Sequence, residues 1–151
     1  MTYTIVVGYD GSAPARKALA QAIELASTTP DAEVVVACGQ DRRPGYLGYD
    51  DQPLWREALE LDKLWENMEA KINADLEEAV KTVRDAGVTA SAACGRGRPA
   101  GILRSVARDT GARLIVVGTH GSGREEETTV LGSTTTELLH TTQVPVLVVP
   151  H

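Results

Sequence analysis

The sequence predicts an α/β protein with an open sheet of five parallel strands and helices on both faces. Two observations carry this. Apolar, mostly β-branched runs recur along the chain, and between them lie longer segments whose apolar residues step by three and four. Strands with so few polar residues are buried on both faces, the condition of a parallel sheet covered by helices. Strand and helix alternate through mostly short connections, so each crossover helix returns the chain to the same end of the sheet.

The elements follow in order. Thr4-Ile5-Val6-Val7 is the first strand, stopped by Gly8. Ser12 is placed to cap a helix whose first turn holds Pro14, where a missing N–H costs nothing. Ala18, Leu19, Ala22, Ile23 and Ala26 carry that helix to Thr29-Pro30, and Glu33 to Cys38 is the second strand. Gly39 to Pro53, rich in Gly, Pro, Asp and Arg, reads as a loop. From Leu54 to Gly87, an apolar stripe through Ala58, Leu61, Trp65, Met68, Ile72, Leu76, Val80 and Val83 predicts a long helix. Trp65 and Met68 are assigned to the core, and the carboxylates off the stripe to a solvated face. Val88 to Cys94 is small and polar but stands where a third strand is due. After the Gly95-Arg96-Gly97-Arg98-Pro99 turn, Ile102, Leu103, Val106 and Ala107 mark a helix closed by Gly111. Leu114 to Val117 is the fourth strand. A glycine-bearing loop leads to a last helix over Ser133 to Thr142, for which Thr134 to Glu137 fits a capping box. Val146 to Val149 is the fifth strand, and Pro145 before it favours a sheet edge.

Composition narrows the function. The 151 residues fit one domain over the whole chain, with 15 basic against 21 acidic side chains and a net charge of -6. That sign opposes general binding to nucleic acid or to anionic membranes. No run reaches the length of a membrane span, and the first strand starts too near Met1 to leave room for a signal peptide, so a cytoplasmic protein is expected. Cys38 and Cys94 are expected as reduced, buried thiols.

Ligands of open α/β sheets bind beyond the carboxyl ends of the strands, where the strand order reverses. Order 3-2-1-4-5 brings Tyr9-Asp10-Gly11 beside Gly118-Thr119-His120-Gly121; order 2-1-3-4-5 would use the Cys94 to Pro99 turn instead. The first order assembles a mononucleotide site. Gly118, Gly121, Gly132, Ser133 and Thr134 offer backbone and hydroxyl donors to phosphates at a helix N-terminus. Asp10 can meet a ribose or a magnesium ion, or serve only its Asp-Gly turn. Ala37 and Cys38 would flank the base, and His120 can touch a ligand from its loop. Arg96 and Arg98 can reach phosphates or stand as solvated turn residues.

Other chemistries find no support. P-loop and dinucleotide fingerprints are missing, and strand three ends without the Asp of a phosphoacceptor domain. His120, His140 and His151 lack metal-ligand spacing, and no nucleophile elbow occurs. A binding protein rather than an enzyme, with no metal of its own, is expected.

Assembled, these residues resemble the universal stress protein family along nearly the whole chain. The matching segments are Ile5 to Ser12, Gly97-Arg98-Pro99 before Ile102-Leu103, Leu114 to Gly121, Gly132-Ser133, and Val144 to Val149. The resemblance implies order 3-2-1-4-5, an adenine nucleotide alpha-hydrolase-like fold, and a homodimer made by antiparallel pairing of the fifth strands, here residues 144–149. In one branch it also implies ATP or AMP binding, with cyclic AMP and magnesium as further candidates. That branch carries Gly, two residues, Gly, nine residues, Gly, then Ser or Thr. Here Gly118, Gly121, Gly132 and Ser133 match, but Ser122 to Leu131 makes ten residues, with Glu125-Glu126-Glu127 among them. Arg113 stands where the family usually has an acidic residue. The expected function is a stress-response sensor or regulatory module that binds an adenine nucleotide. The alternative is a nucleotide-free dimeric interaction protein of the same fold.

Overall fold

The β-branched runs form the centre of a parallel sheet, as their two-sided burial requires. A computed structural model of the chain describes residues 1–41, 55–120 and 131–151, with side chains of the long helix from residue 62 onward. The strands are β1 (Tyr3–Gly8), β2 (Ala32–Gln40), β3 (Thr89–Arg96), β4 (Leu114–Gly118) and β5 (Val146–Val149). They pair in the order β3-β2-β1-β4-β5, every pair parallel. Of the two orders considered from sequence, the structure has the one that reverses between β1 and β4. Ile5, Val6 and Val7 of β1 are fully buried, as are Ile115 and Val116 of β4.

The helices are α1 (Ala13–Thr28), α2 (Trp55–Asp85), α3 (Pro99–Thr110) and α4 (Ser133–Thr141). Alternate side chains of the central strands feed two cores. Ile5, Val7, Val34, Val36 and Val116 pack with α1 and α2 on one face, through Leu19, Ala22, Leu76, Val80 and Val83 among others. Val6, Val35, Ala37, Ile115 and Val117 pack with Ala100, Leu103 and Ala107 of α3 and Leu138 of α4 on the other. Because right-handed crossovers fix the face each helix takes, the change of face after β3 is the same event as the reversal of strand order.

Local signals explain the ends of the elements. Ser12 caps α1 by accepting from the Ala15 N–H at 3.3 Å, with Pro14 in the first turn. Gly111 ends α3 with φ 63°, in the left-handed region. Four expectations need correction. Trp65 and Met68 are only partly buried, because α2 packs on the sheet through its C-terminal half, from Leu76 to Val83. Cys94 is exposed rather than buried, since β3 is a sheet edge. The capping box at Thr134 does not form: α4 starts at Ser133 with Gly132 as N-cap and no capping side chain. A backbone bond from Gly132 N–H to Thr119 O at 2.7 Å fixes that start upstream. Of the loop predicted over Gly39 to Pro53, Gly39 and Gln40 instead extend β2 in register with β3; its residues 42–53, the helix start at Leu54 and the side chains of Ala58 and Leu61 lie outside the described residues.

Candidate functional site

The reversal between β1 and β4 opens a cleft of about 270 Å³ at the carboxyl ends of the strands. Asp10, Ala37, Cys38, Gly118, His120, Gly132, Ser133 and Thr134, all expected at the site from sequence, line this one space. Gly121, the remaining candidate, lies outside the described residues, as do Ser122 to Val130 and the three glutamates among them.

Each wall has a local cause. On the β1 side, Gly11 takes φ 79°, and the Ser12 N–H donates to Asp10 Oδ1 at 2.9 Å. Asp10 therefore serves its turn and also lines the cleft. The Tyr9 N–H donates to Ala37 O at 2.9 Å, tying the end of β1 to the floor made by β2. Ala37 itself is fully buried, so its contribution to the cleft is small-residue shape.

The β4 side depends on close packing. A Cβ on Gly118 would lie 2.9 Å from Pro14 Cβ and 3.0 Å from Pro14 O, so the absence of a side chain lets β4 end directly against α1. A Cβ on Gly132 would lie 2.9 Å from His120 Cα. The two ends of the loop thus meet backbone to backbone. Thr135, buried, donates its hydroxyl to Gly118 O at 2.8 Å and holds the first turn of α4 over the end of β4. With no side chain capping α4, its N-terminal turn presents donors and the positive end of the helix dipole, and Ser133, Thr134 and Thr135 line the cleft there. His120 shares a 3.0 Å contact with the Thr119 hydroxyl through Nδ1. Its ring meets that of His151 edge-on, 5.4 Å between centroids.

The thiols differ in environment. Burial pushes the Cys38 thiol up to about 12, helped by Cys94, Asp10 and Asp75 nearby. It is thus a neutral, inert wall at ordinary pH. Cys94, paired in register with Cys38 on the neighbouring strand, is also raised, by burial first and Glu69 second.

Sequence reasoning did not assign Gly39, Asp41 or Glu137 to the cleft, and it left Arg98 undecided. Asp41 follows β2 and is buried, and Glu137 pairs with Arg98 Nη2 at 2.9 Å. The signal for Glu137 was its place four residues after Ser133, on the same helical face, but the capping-box pattern claimed it. Among the described residues, no group of three or more His, Cys, Asp and Glu side chains is arranged to hold a metal ion. No helix of the described residues is long and apolar enough to cross a membrane.

Residues 1–150 match the sequence profile of the universal stress protein family. A comparison with curated proteins finds no match. Among solved structures, the chain is similar to the universal stress protein UspA from Lactobacillus plantarum, with a TM-score of 0.78 at 19% identity, covering 99% of each chain. It is also similar to a universal stress protein in complex with cAMP, with a TM-score of 0.66 at 24% identity, over 99% of this chain and 97% of that one. A universal stress protein from Archaeoglobus fulgidus in complex with dAMP gives a TM-score of 0.66 at 21% identity, over 97% of this chain and 96% of the other. At these identities the likeness is one of fold.

Proposed function

Because this chain belongs to the universal stress protein family, we propose that it binds an adenine nucleotide in the β1–β4 cleft and acts as a cytoplasmic stress-response sensor or regulatory module. The observation that carries the reading is convergence: Asp10, Cys38, Gly118 and Ser133, from four separate segments, line one cleft at the switch point. The donor set fits a phosphate, since α4 opens onto the cleft without a capping side chain. Asp10 brings to the cleft a carboxylate that can accept from a ribose hydroxyl, and Ala37 and Cys38 offer a small apolar floor for a base. Structural neighbours bound to cAMP and dAMP support the same ligand class.

ATP and AMP are the proposed ligands, with cyclic AMP a third. Magnesium, where it takes part, would arrive with the phosphates, and Asp10 on the cleft wall is the carboxylate that could meet it. The proposal is binding without turnover. Phosphate release from ATP that falls in Asp10→Ala and Ser133→Ala would contradict that part. We further infer a homodimer through residues 144–149. β5 is a sheet edge whose four residues stay partly exposed, and an unpaired edge invites a second copy.

Isothermal titration with ATP, AMP and cyclic AMP tests the reading. Saturable one-site binding is expected, weakened in Ser133→Ala and Asp10→Ala. Absence of heat at millimolar nucleotide with folded protein would refute it and favour the nucleotide-free interaction protein. The carboxylates of Asp10, Asp41 and Glu137 in the cleft are the feature that favours this second reading.

A further inference from the structure

We propose that Arg98 selects the bound nucleotide by its phosphate charge, and that Glu137 holds the guanidinium in place until a phosphate displaces the carboxylate. This rests on the nucleotide reading of the cleft and adds to it the residue that reads charge. Arg98 stands at the end of the turn between β3 and α3, with Pro99 beginning the helix behind it, and its side chain makes no capping bond. It reaches across to α4 instead, where Nη2 lies 2.9 Å from Glu137 Oε2. Both residues line the cleft, and among the described lining residues Arg98 is the one permanent cation.

Position gives the pair its meaning. Glu137 is four residues after Ser133, so the two project from one face of α4 a single turn apart. A guanidinium held at Glu137 therefore waits beside the uncapped N-terminal turn that is the candidate phosphate site. The pair is also easy to exchange. The guanidinium side is 58% exposed and the carboxylate 28%, a setting in which ion pairs hold weakly. Carboxylate and phosphate offer arginine the same two-oxygen geometry, so one can replace the other without rebuilding the site.

Exchange leaves Glu137 as an uncompensated negative charge beside the ligand. A ligand displaces it only by offering more charge than a single carboxylate. A nucleoside gains nothing from Arg98, a cyclic phosphodiester with one charge competes poorly, and a terminal phosphate near two charges wins. The pair thus works as a threshold that favours ATP and AMP over cyclic AMP and adenosine.

Titration of four ligands, adenosine, cyclic AMP, AMP and ATP, into wild type, Arg98→Gln and Glu137→Gln tests this. Arg98→Gln is expected to weaken ATP about tenfold, equivalent to about 1.4 kcal/mol, to weaken cyclic AMP by less than about twofold, and to leave adenosine unchanged. Glu137→Gln is expected to tighten ATP several-fold and leave adenosine unchanged. Arg98→Lys, which keeps the charge, retains most of the preference for ATP, and circular dichroism confirms that each variant is folded. Equal effects of Arg98→Gln on adenosine and ATP, no effect on either, or weaker ATP binding by Glu137→Gln would overturn the proposal. Wild type that binds some of the four ligands, with a preference that Arg98→Gln leaves intact, refutes the Arg98 role alone. Wild type that binds none refutes the nucleotide reading and this proposal with it.

Discussion

Gly118→Ala should destabilise the protein through one contact that the geometry specifies. The added Cβ would lie 2.9 Å from Pro14 Cβ, 3.0 Å from Pro14 O and 3.1 Å from Pro14 C. Relaxed carbon contacts sit near 3.5–4.0 Å, so roughly half an ångström must be recovered at all three. Two of these atoms are backbone in the first turn of α1, and Pro14 is buried, so no side-chain rotation relieves the clash. Either β4 or the start of α1 must shift. Overpacking of this kind costs about 1–3 kcal/mol, which for a chain of this length lowers Tm by about 3–9 °C. Gly101→Ala is the matched control. Gly101 lies inside α3, and its added Cβ would meet only Arg104 Nη2 at 3.8 Å. There alanine gains about 0.5–1 kcal/mol from helix preference and the stiffer unfolded chain. Differential scanning calorimetry of both variants reads the opposite signs. A Gly118→Ala protein as stable as wild type would refute the close approach of β4 to α1, and with it the way this wall of the cleft is built.

Other outcomes follow from the same structure. Thr135→Val keeps the shape but removes the donor to Gly118 O, so it should cost about 1–3 kcal/mol in chemical denaturation; a change within about 0.5 kcal/mol would mean that the tether contributes nothing. Cys94, exposed, should alkylate with iodoacetamide in the native protein, while Cys38, with its thiol pushed up to about 12, should react only on unfolding. Since the Cys38 value is raised above 9.0 on folding, its stabilising contribution is complete below pH 9 and declines as pH climbs toward 12. Wild type should therefore lose about 1 kcal/mol more than Cys38→Ala between pH 9 and 10, and parallel alkaline limbs would contradict this. Wild type should sediment as a dimer and Val148→Glu, with a charge on the edge strand, as a folded monomer; an unchanged dimer would place the interface elsewhere.

The central sheet was legible because β1, β2 and β4 are buried on both faces, a state that leaves its record in continuous runs such as Ile5-Val6-Val7. Ser12, Pro14 and Gly111 were legible because caps act within a turn of chain. The errors fall where tertiary contacts override local pattern. Thr134 to Glu137 has the spacing of a capping box, but the backbone bond from Gly132 to Thr119 starts the helix earlier and leaves Glu137 for Arg98. Trp65 and Met68 keep helical periodicity, yet their part of α2 is not the part that lies on the sheet. Cys94 followed the expectation for cysteines in general, whereas its exposure depends on β3 being an edge, which only the strand order decides. The cleft itself was largely readable once that order was assumed, because strand ends carry their positions with them. Asp41 was not, since nothing local marks a carboxylate after β2 as buried at the cleft.

The central claim is that an adenine nucleotide occupies the cleft between β1 and β4. Amide NMR during titration of the labelled protein with AMP tests occupancy and location together. Saturating shifts concentrated at Asp10, Cys38, Gly118, Gly132 and Ser133, with β5 little changed, are the predicted result. An unchanged spectrum at millimolar AMP, or shifts that map away from the carboxyl ends of the strands, would contradict it.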